Sequence, residues 1–81
     1  MTTADTEGRF FNTLSSLLNV PADQLNRESS RDSIQEWDSL KHMHLIMALE
    51  EEFGIEFADR EVSALSGAAA LLDSIMEKLR E

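Results

Sequence analysis

Apolar residues in the middle of the chain recur at intervals of three and four, and this helical spacing constrains the fold more than any other feature of the sequence. At about 100° per residue they form one stripe along a helix. The stripe consists of Leu45, Ile46, Leu49 and Phe53. Asp38 is a favoured N-cap residue, and Gly54 is a favoured C-terminal stop. The sequence therefore predicts a helix over Ser39–Phe53 with one buried face.

A second run with the same spacing extends from Asp5 to Leu18. Its predicted core face consists of Phe10, Phe11, Leu14, Leu17 and Leu18. We expect Asp5 or Thr6 to cap the start of this helix, and Asn19 with Pro21 to mark its end.

Two more helices are predicted towards the end of the sequence. A short helix covers about Asp59–Leu65, and a longer one runs from Ala68 to Leu79, with Ser66 as its expected N-cap. The core face predicted for the longer helix consists of Ala69, Leu72, Ile75, Met76 and Leu79.

The residues Asn19–Trp37 form a long connector between the first two predicted helices. Because connections beyond about 12–15 residues are uncommon in compact domains, we expect Leu25, Ile34 and Trp37 to anchor it over the helices. The sequence has no Tyr, a single Pro and few β-branched residues, which disfavours a sheet. We predict an all-α fold: one domain of residues 1–81, a small three-to-four-helix bundle with a long first connector.

The charge and composition of the chain exclude several functions. A net charge of −9 disfavours nucleic acid and anionic lipid as partners and favours proteins that present Lys and Arg. There is no Cys, so thiolate metal sites, disulfides and a catalytic thiol are excluded. No stretch approaches the roughly 20 apolar residues of a membrane span, and Met1–Asp5 lack the pattern of a secretory leader. We therefore expect the protein to be cytoplasmic, and we expect it to be a monomer. We also expect that it is not an enzyme, since so short a chain has little room for an enclosed cleft.

The predicted central helix carries a second apolar row on the side opposite its core stripe. This row contains Leu40, Met43 and Met47, and it runs towards Glu50 and Glu51. A small bundle cannot bury both sides of one helix, and Met side chains suit an adaptable contact surface. We interpret these five residues as a docking face. The alternative is that the apolar row packs beneath the connector or the third helix.

Ser39 opens the same helix. At a helix start the backbone N–H groups lack intrahelical partners and the dipole favours an anion, so a phosphate ester on this hydroxyl would be stabilised. A serine in this position is more often a simple cap, and position alone favours that role.

The residues around Ser39 identify a resemblance. Trp37-Asp38-Ser39-Leu40, followed by LIMALEEEFGI over Leu45–Ile55, closely resembles the phosphopantetheine-attachment segment of acyl carrier proteins. The similarity extends over essentially the whole chain, because the first helix, the long connector and the later helices also follow the family pattern. Asp-Ser-Leu alone is a weak motif, but in this context it is specific.

The resemblance implies a function and a set of roles. Ser39 would carry 4'-phosphopantetheine, transferred from coenzyme A by a phosphopantetheinyl transferase with a magnesium ion. Asp38 would cap the helix and help to position the transferase and its metal. The docking face would be bound by the basic patches of partner enzymes. These enzymes would load and process an acyl or aminoacyl group, which the arm holds as a thioester. The carrier itself would catalyse nothing and would hold no metal.

Three residues depart from the pattern of the housekeeping fatty-acid carriers. Lys41 and His44 occupy places that are usually acidic, and Trp37 occupies one that is usually small. We interpret these differences as those of a carrier dedicated to a specialised biosynthetic pathway of the fatty-acid or polyketide type.

Other functions explain fewer of these residues. His42 follows Ser39 by three residues, but nothing predicts the oxyanion hole that a hydrolase needs. His42 and His44 are two apart on a helix and face different directions, which disfavours a shared metal; His42 suits packing at the core boundary. The main alternative to a carrier is an unmodified acidic helical adaptor that binds a basic protein, since that function does not require Ser39.

Overall fold

The computed structural model describes residues 3–80, which form four α-helices, with a short 3-10 helix (Ala22–Gln24) in the connector between the first two. The helices are α1 (Thr3–Leu18), α2 (Ser39–Phe53), α3 (Asp59–Ala64) and α4 (Ala68–Leu79). The predicted all-α bundle with a long first connector is confirmed. Met1, Thr2 and Glu81 lie outside the described residues, so the predictions about a leader at Met1 and about a domain spanning residues 1–81 extend beyond what the structure describes.

Helix α1 begins earlier than predicted and ends where predicted. Asp5 and Thr6 lie inside the helix, so the prediction that one of them is the N-cap is wrong; no helix-breaking residue precedes them. At the other end Asn19 adopts a left-handed conformation with φ 59°. The N–H of Val20 then donates to the carbonyl of Ser15 at 3.2 Å, which satisfies an otherwise unpaired carbonyl.

Helix α2 has the predicted bounds because both of its ends are determined locally. The Asp38 carboxylate accepts the N–H of Lys41 at 2.8 Å, which is an N-cap hydrogen bond. Gly54 has φ 65°, a conformation that costs L-residues energy, and its N–H donates to the Glu50 carbonyl at 2.8 Å.

The start of α4 is held by the connector and not by a side-chain cap. Gly67 is the N-cap residue and makes no side-chain cap bond, so the prediction of Ser66 as cap is wrong. The N–H of Ala68 donates instead to the Ser29 carbonyl at 2.8 Å, and the Ser66 carbonyl accepts the N–H of Arg31 at 3.2 Å. Backbone of the connector therefore takes the place of a capping side chain.

A single core lies between α1, α2 and α4, and the connector covers it. Its buried side chains are Phe10, Leu14, Leu18, Val20, Leu25, Trp37, Leu45, Ile46, Leu49, Phe53, Phe57, Ala68, Leu71, Leu72 and Ile75. The predicted stripe of α2 is confirmed in full. The connector anchors are confirmed as well, with Leu25 and Trp37 buried and Ile34 half-buried.

The core faces of the two flanking helices differ in part from the prediction. Phe11 and Leu17 in α1 are only half-buried. In α4 the helix turns Ala68 and Leu71 inwards, whereas the predicted Ala69 and Met76 are half-buried and Leu79 is exposed. The orientation of α4 follows from its attachment to the connector backbone. Within residues 3–80, no helix is long and apolar enough to cross a membrane.

Candidate functional site

Ser39 lies exposed at the first residue of α2, with a guanidinium beside its hydroxyl. Arg31 donates a hydrogen bond from Nη2 to Ser39 Oγ at 2.8 Å. An open depression adjoins this hydroxyl and is lined by Arg31, Asp32, Trp37, Asp38, Ser39 and Ser66. The hydroxyl is thus accessible to a second protein and lies beside both a cation and a helix start.

Arg31 is the functional candidate that the sequence prediction missed. Its backbone is fixed by the bond to Ser66, and the neighbouring Ser30 forms an antiparallel bridge with Gly67. The hydrogen bond between Arg31 and Ser39 joins two residues across a turn of the connector, so the periodicity of a helix or strand does not predict it. The connector contains two basic residues, Arg27 and Arg31, and the nearness of Arg31 to the serine along the chain was the available sequence signal.

Behind Ser39, Trp37 and His42 form a buried polar contact. Trp37 Nε1 donates to His42 Nδ1 at 3.0 Å, and His42 Nε2 lies 2.7 Å from the Val62 carbonyl. Because the indole can only donate, Nδ1 must accept and the proton must reside on Nε2. Burial lowers the pKa of His42, and the nearby charge of Arg31 lowers it further, while the bond to Val62 opposes this. The bond between Trp37 and His42 ties the connector to α2, and the bond between His42 and Val62 ties α2 to α3.

The predicted apolar row of the docking face is exposed to solvent. The exposed fractions are 64% for Leu40, 49% for Met43 and 63% for Met47. The alternative that this row packs beneath the connector or α3 is therefore wrong. Three large apolar side chains on one helix face form a patch of the kind that marks interaction sites.

The two acidic residues of the docking face differ in their surroundings. Glu51 is exposed. Glu50 is half-buried, and its carboxylate accepts the N–H of Phe57 at 2.8 Å, which holds the segment after α2 against the helix. Glu50 therefore has a structural contact that the sequence did not predict.

Lys41 and His44, which replace acidic residues of the housekeeping pattern, lie on different parts of the surface. Lys41 Nζ donates to the Leu17 carbonyl at 3.3 Å, so its charge lies at the C-terminus of α1, where the last turn has no basic residue of its own. His44 is exposed and lines an open apolar depression with Met47 and Glu51.

The geometry disfavours catalysis by Ser39 and His42. Both ring nitrogens of His42 are engaged, one by Trp37 and the other by Val62, and its hydrogen bonds do not include Ser39. His42 is buried and His44 is exposed, in keeping with different directions on the helix. No cluster of three or more His, Asp or Glu side chains in the described range could hold a metal ion.

Comparison with known proteins identifies the family of the chain. Residues 9–75 match the family model described as "Phosphopantetheine attachment site". The acyl carrier protein of Thermosynechococcus vestitus is 40% identical over 62 residues, covering 76% of each chain. The chain belongs to the acyl carrier protein family. The acyl carrier proteins of Chlorobium phaeobacteroides and Buchnera aphidicola are 31% identical over 78 residues and 38% identical over 66 residues, respectively. These alignments cover 96% and 80% of this chain and 100% and 82% of the relatives.

Acyl carrier proteins are carriers and not catalysts, and they work with phosphopantetheinyl transferases and acyl-processing enzymes. Their cofactor is phosphopantetheine, joined through a phosphate. The surroundings of Ser39 fit such a group, because the hydroxyl is exposed, the guanidinium of Arg31 is 2.8 Å away and the adjoining depression is open. Helix α2 also presents unpaired N–H groups at this end.

Proposed function

We propose that this protein carries an acyl or aminoacyl group as a thioester on 4'-phosphopantetheine attached to Ser39, within a single carrier domain of residues 1–81. The observation that carries the proposal is the exposed Ser39 hydroxyl at the start of α2, hydrogen-bonded by Arg31, in a chain of the acyl carrier protein family. The arm, when attached, supplies the thiol that the Cys-free chain lacks.

Attachment would be a phosphoryl-type transfer at Ser39. The hydroxyl oxygen attacks the pantetheine-bearing phosphorus of coenzyme A, and a new P–O bond forms as the bond to the adenosine bisphosphate leaving group breaks. The hydroxyl proton passes to a base of the transferase. Asp38 caps α2 through Lys41, so the helix start that presents Ser39 is held in place before the transferase binds. We assign Asp38 the further role of helping to position the transferase and its magnesium ion.

The docking face would bind the partner enzymes. Leu40, Met43 and Met47 offer an apolar contact area, and Glu51 adds an exposed negative charge for a basic patch. Glu50 would contribute charge from a more fixed position, since Phe57 already holds its carboxylate. The cytoplasm and a monomeric state suit a protein that must visit several enzymes in turn.

We further propose that the partners belong to a specialised pathway. Lys41 and His44 make the first two turns of α2 less acidic than in housekeeping fatty-acid carriers. Trp37, where those carriers usually have a small residue, donates a hydrogen bond to His42. If the fatty-acid synthesis enzymes of the source organism used this carrier as efficiently as their usual one, the specialised role would be refuted.

The carrier function is tested by incubating the protein with coenzyme A, magnesium and a broad-specificity transferase and then measuring the intact mass. We expect wild type to gain one phosphopantetheine and Ser39→Ala to gain none. Ser66→Ala is the matched control, because Ser66 lines the same depression and should leave the gain unchanged. An unmodified wild type, under conditions that modify a control carrier, would favour the acidic adaptor.

Docking is tested by charge reversal on α2. Glu51→Lys should reduce the rate of loading by the transferase, and raised salt should reduce the wild-type rate towards that of the variant, since exposed charges are screened over about 8–10 Å. Asp23→Lys makes the same charge change in the connector and should have little effect. Equal rates for both variants would contradict the assignment of Glu51. Glu50→Lys is less informative, because it also removes the acceptor of the Phe57 N–H.

A further inference from the structure

We propose that the guanidinium of Arg31 binds the phosphate through which the arm would be joined to Ser39, and so positions the first part of the arm beside the connector. The inference rests on the proposed function and concerns a residue to which the family resemblance assigns no role. Arg31 would act as a positioning residue for the attached group.

The distance is the first argument. Arg31 Nη2 already donates to Ser39 Oγ at 2.8 Å, and this oxygen would become the ester oxygen. Esterification replaces the hydroxyl proton by the phosphorus of the arm, and the other oxygens on that phosphorus share a negative charge. A planar guanidinium is well suited to phosphate oxygens, with which it forms charge-assisted hydrogen bonds.

The charge balance around the hydroxyl is the second argument. The lining of the depression contains two carboxylates, Asp32 and Asp38, and Arg31 is its one basic residue. Without that guanidinium a phosphate on Ser39 would face two like charges, with only the helix start to favour it. Within the part of the chain that the structure describes, no carboxylate lies within 4.0 Å of the Arg31 guanidinium, whereas Arg27 pairs with Asp73 at 2.8 Å.

The third argument is that the backbone around Arg31 is already fixed. The Arg31 N–H donates to Ser66, the Ser30–Gly67 bridge precedes it, and Ile34 closes a turn onto the Ser30 carbonyl at 2.9 Å. The guanidinium is therefore delivered to Ser39 from an ordered segment, and less entropy is lost when it binds an anion. A phosphate in this position would strengthen the link between the connector and α2.

The test is a thermodynamic cycle between attachment and substitution. Melting temperatures are measured for unmodified and phosphopantetheinylated protein, in wild type and in Arg31→Gln, at low salt. We expect the change in Tm on attachment to be less favourable in Arg31→Gln by about 1–5 °C, as for an exposed ion pair in a domain of this size. The difference should shrink at about 1 M salt, where the screening length falls to about 3 Å. Arg31→Lys should give an intermediate value.

Two further measurements make the result specific. Arg27→Gln is the matched control: it removes a connector arginine paired elsewhere, so it should alter both forms equally and leave the effect of attachment unchanged. The ³¹P resonance of the modified protein should shift between wild type and Arg31→Gln but not between wild type and Arg27→Gln.

Each result bears on a defined claim. If Arg31→Gln gains phosphopantetheine by mass but shows the wild-type change in Tm and an unmoved ³¹P resonance, the inference about Arg31 is overturned and the carrier function stands. If Arg31→Gln lowers Tm equally in the unmodified and the phosphopantetheinylated protein, the inference is likewise overturned, since Arg31 would then have a purely structural role. If wild type itself gains no phosphopantetheine, the proposed function fails, and the inference fails with it.

Discussion

Protonation of His42 is expected to destabilise the fold, because it breaks the contact that ties α2 to the connector. His42 is only 3% exposed, and its Nδ1 accepts the single indole N–H of the chain at 3.0 Å. A proton on Nδ1 would turn the acceptor into a second donor facing Trp37 Nε1. It would also place a charge in a buried site near Arg31.

The direction of the pH effect follows from the lowered pKa of His42. In the unfolded chain the imidazole titrates near 6.5, whereas burial, reinforced by Arg31, lowers its pKa in the folded protein. Below pH 6.5 the unfolded state therefore binds more protons than the folded state. The free energy of unfolding is constant above that pH with respect to this group and falls as the pH decreases. The slope reaches at most about 1.4 kcal/mol per pH unit and ends at the folded pKa.

The assay compares His42→Asn with wild type by thermal unfolding between pH 7.5 and 5.5. Asparagine offers an acceptor in the place of Nδ1 and does not titrate, so the variant should lose the pH dependence that His42 causes. At pH 7.5 it should be less stable by about 1–3 kcal/mol, because the bond to Val62 and part of the packing are lost. One kcal/mol corresponds to about 4–8 °C in Tm for a domain of this size.

His44→Asn is the matched control, since it makes the same change at an exposed position of α2. It should retain the wild-type dependence on pH. Trp37 is the only tryptophan, so its fluorescence reports on the same contact directly. Parallel Tm-against-pH curves for wild type and His42→Asn would refute the reasoning.

Three further predictions concern the fold itself. Phe53→Ala should destabilise the protein by about 3–5 kcal/mol in denaturant titrations, whereas Met47→Ala, on the exposed face, should change it by less than about 0.5 kcal/mol; equal effects would contradict the assigned faces. Gly54→Ala should lower the free energy of unfolding by about 1–2 kcal/mol because residue 54 has a positive φ, whereas Gly8→Ala, within helix α1, should raise it by about 0.4–1 kcal/mol. A Cβ atom would meet nothing within 4 Å at either position, so only the backbone conformation distinguishes them. Effects of the same sign would contradict the argument. The pKa of Glu61 is lowered by the hydrogen bond from the Ala58 N–H and by Lys78, so the stability that Glu61 contributes is lost as the pH falls below about 4.5. Glu61→Gln should therefore flatten that part of the Tm-against-pH curve. An unchanged curve would contradict this cause.

The sequence predicted those features whose causes are local. The bounds of α2 follow from Asp38 and Gly54, which act on backbone groups within four residues. Its buried stripe and its exposed row follow from one helical period, and the structure confirms both assignments. The anchoring of the connector by Leu25 and Trp37 could be predicted because Leu and Trp side chains are on average much more buried than the polar residues around them.

Features that depend on contacts between distant segments could not be predicted. The start and orientation of α4 depend on two backbone hydrogen bonds with the connector, one donated by Ala68 and one accepted by Ser66, and no property of Ser66 itself reveals them. The contact of Arg31 with Ser39 requires the path of the whole connector. The second role of Glu50 depends in the same way on where the chain places Phe57 after α2.

The most direct test of the central claim is to locate the modification on protein isolated from its native host. Peptides that contain Ser39 are fragmented in a mass spectrometer, and the modified side chain is assigned from the fragments. We predict phosphopantetheine on the Ser39 oxygen, with acyl or aminoacyl groups on its sulfur in part of the material. Native protein that carries the arm on another side chain, or that is active in its pathway with Ser39 bare, would contradict the account.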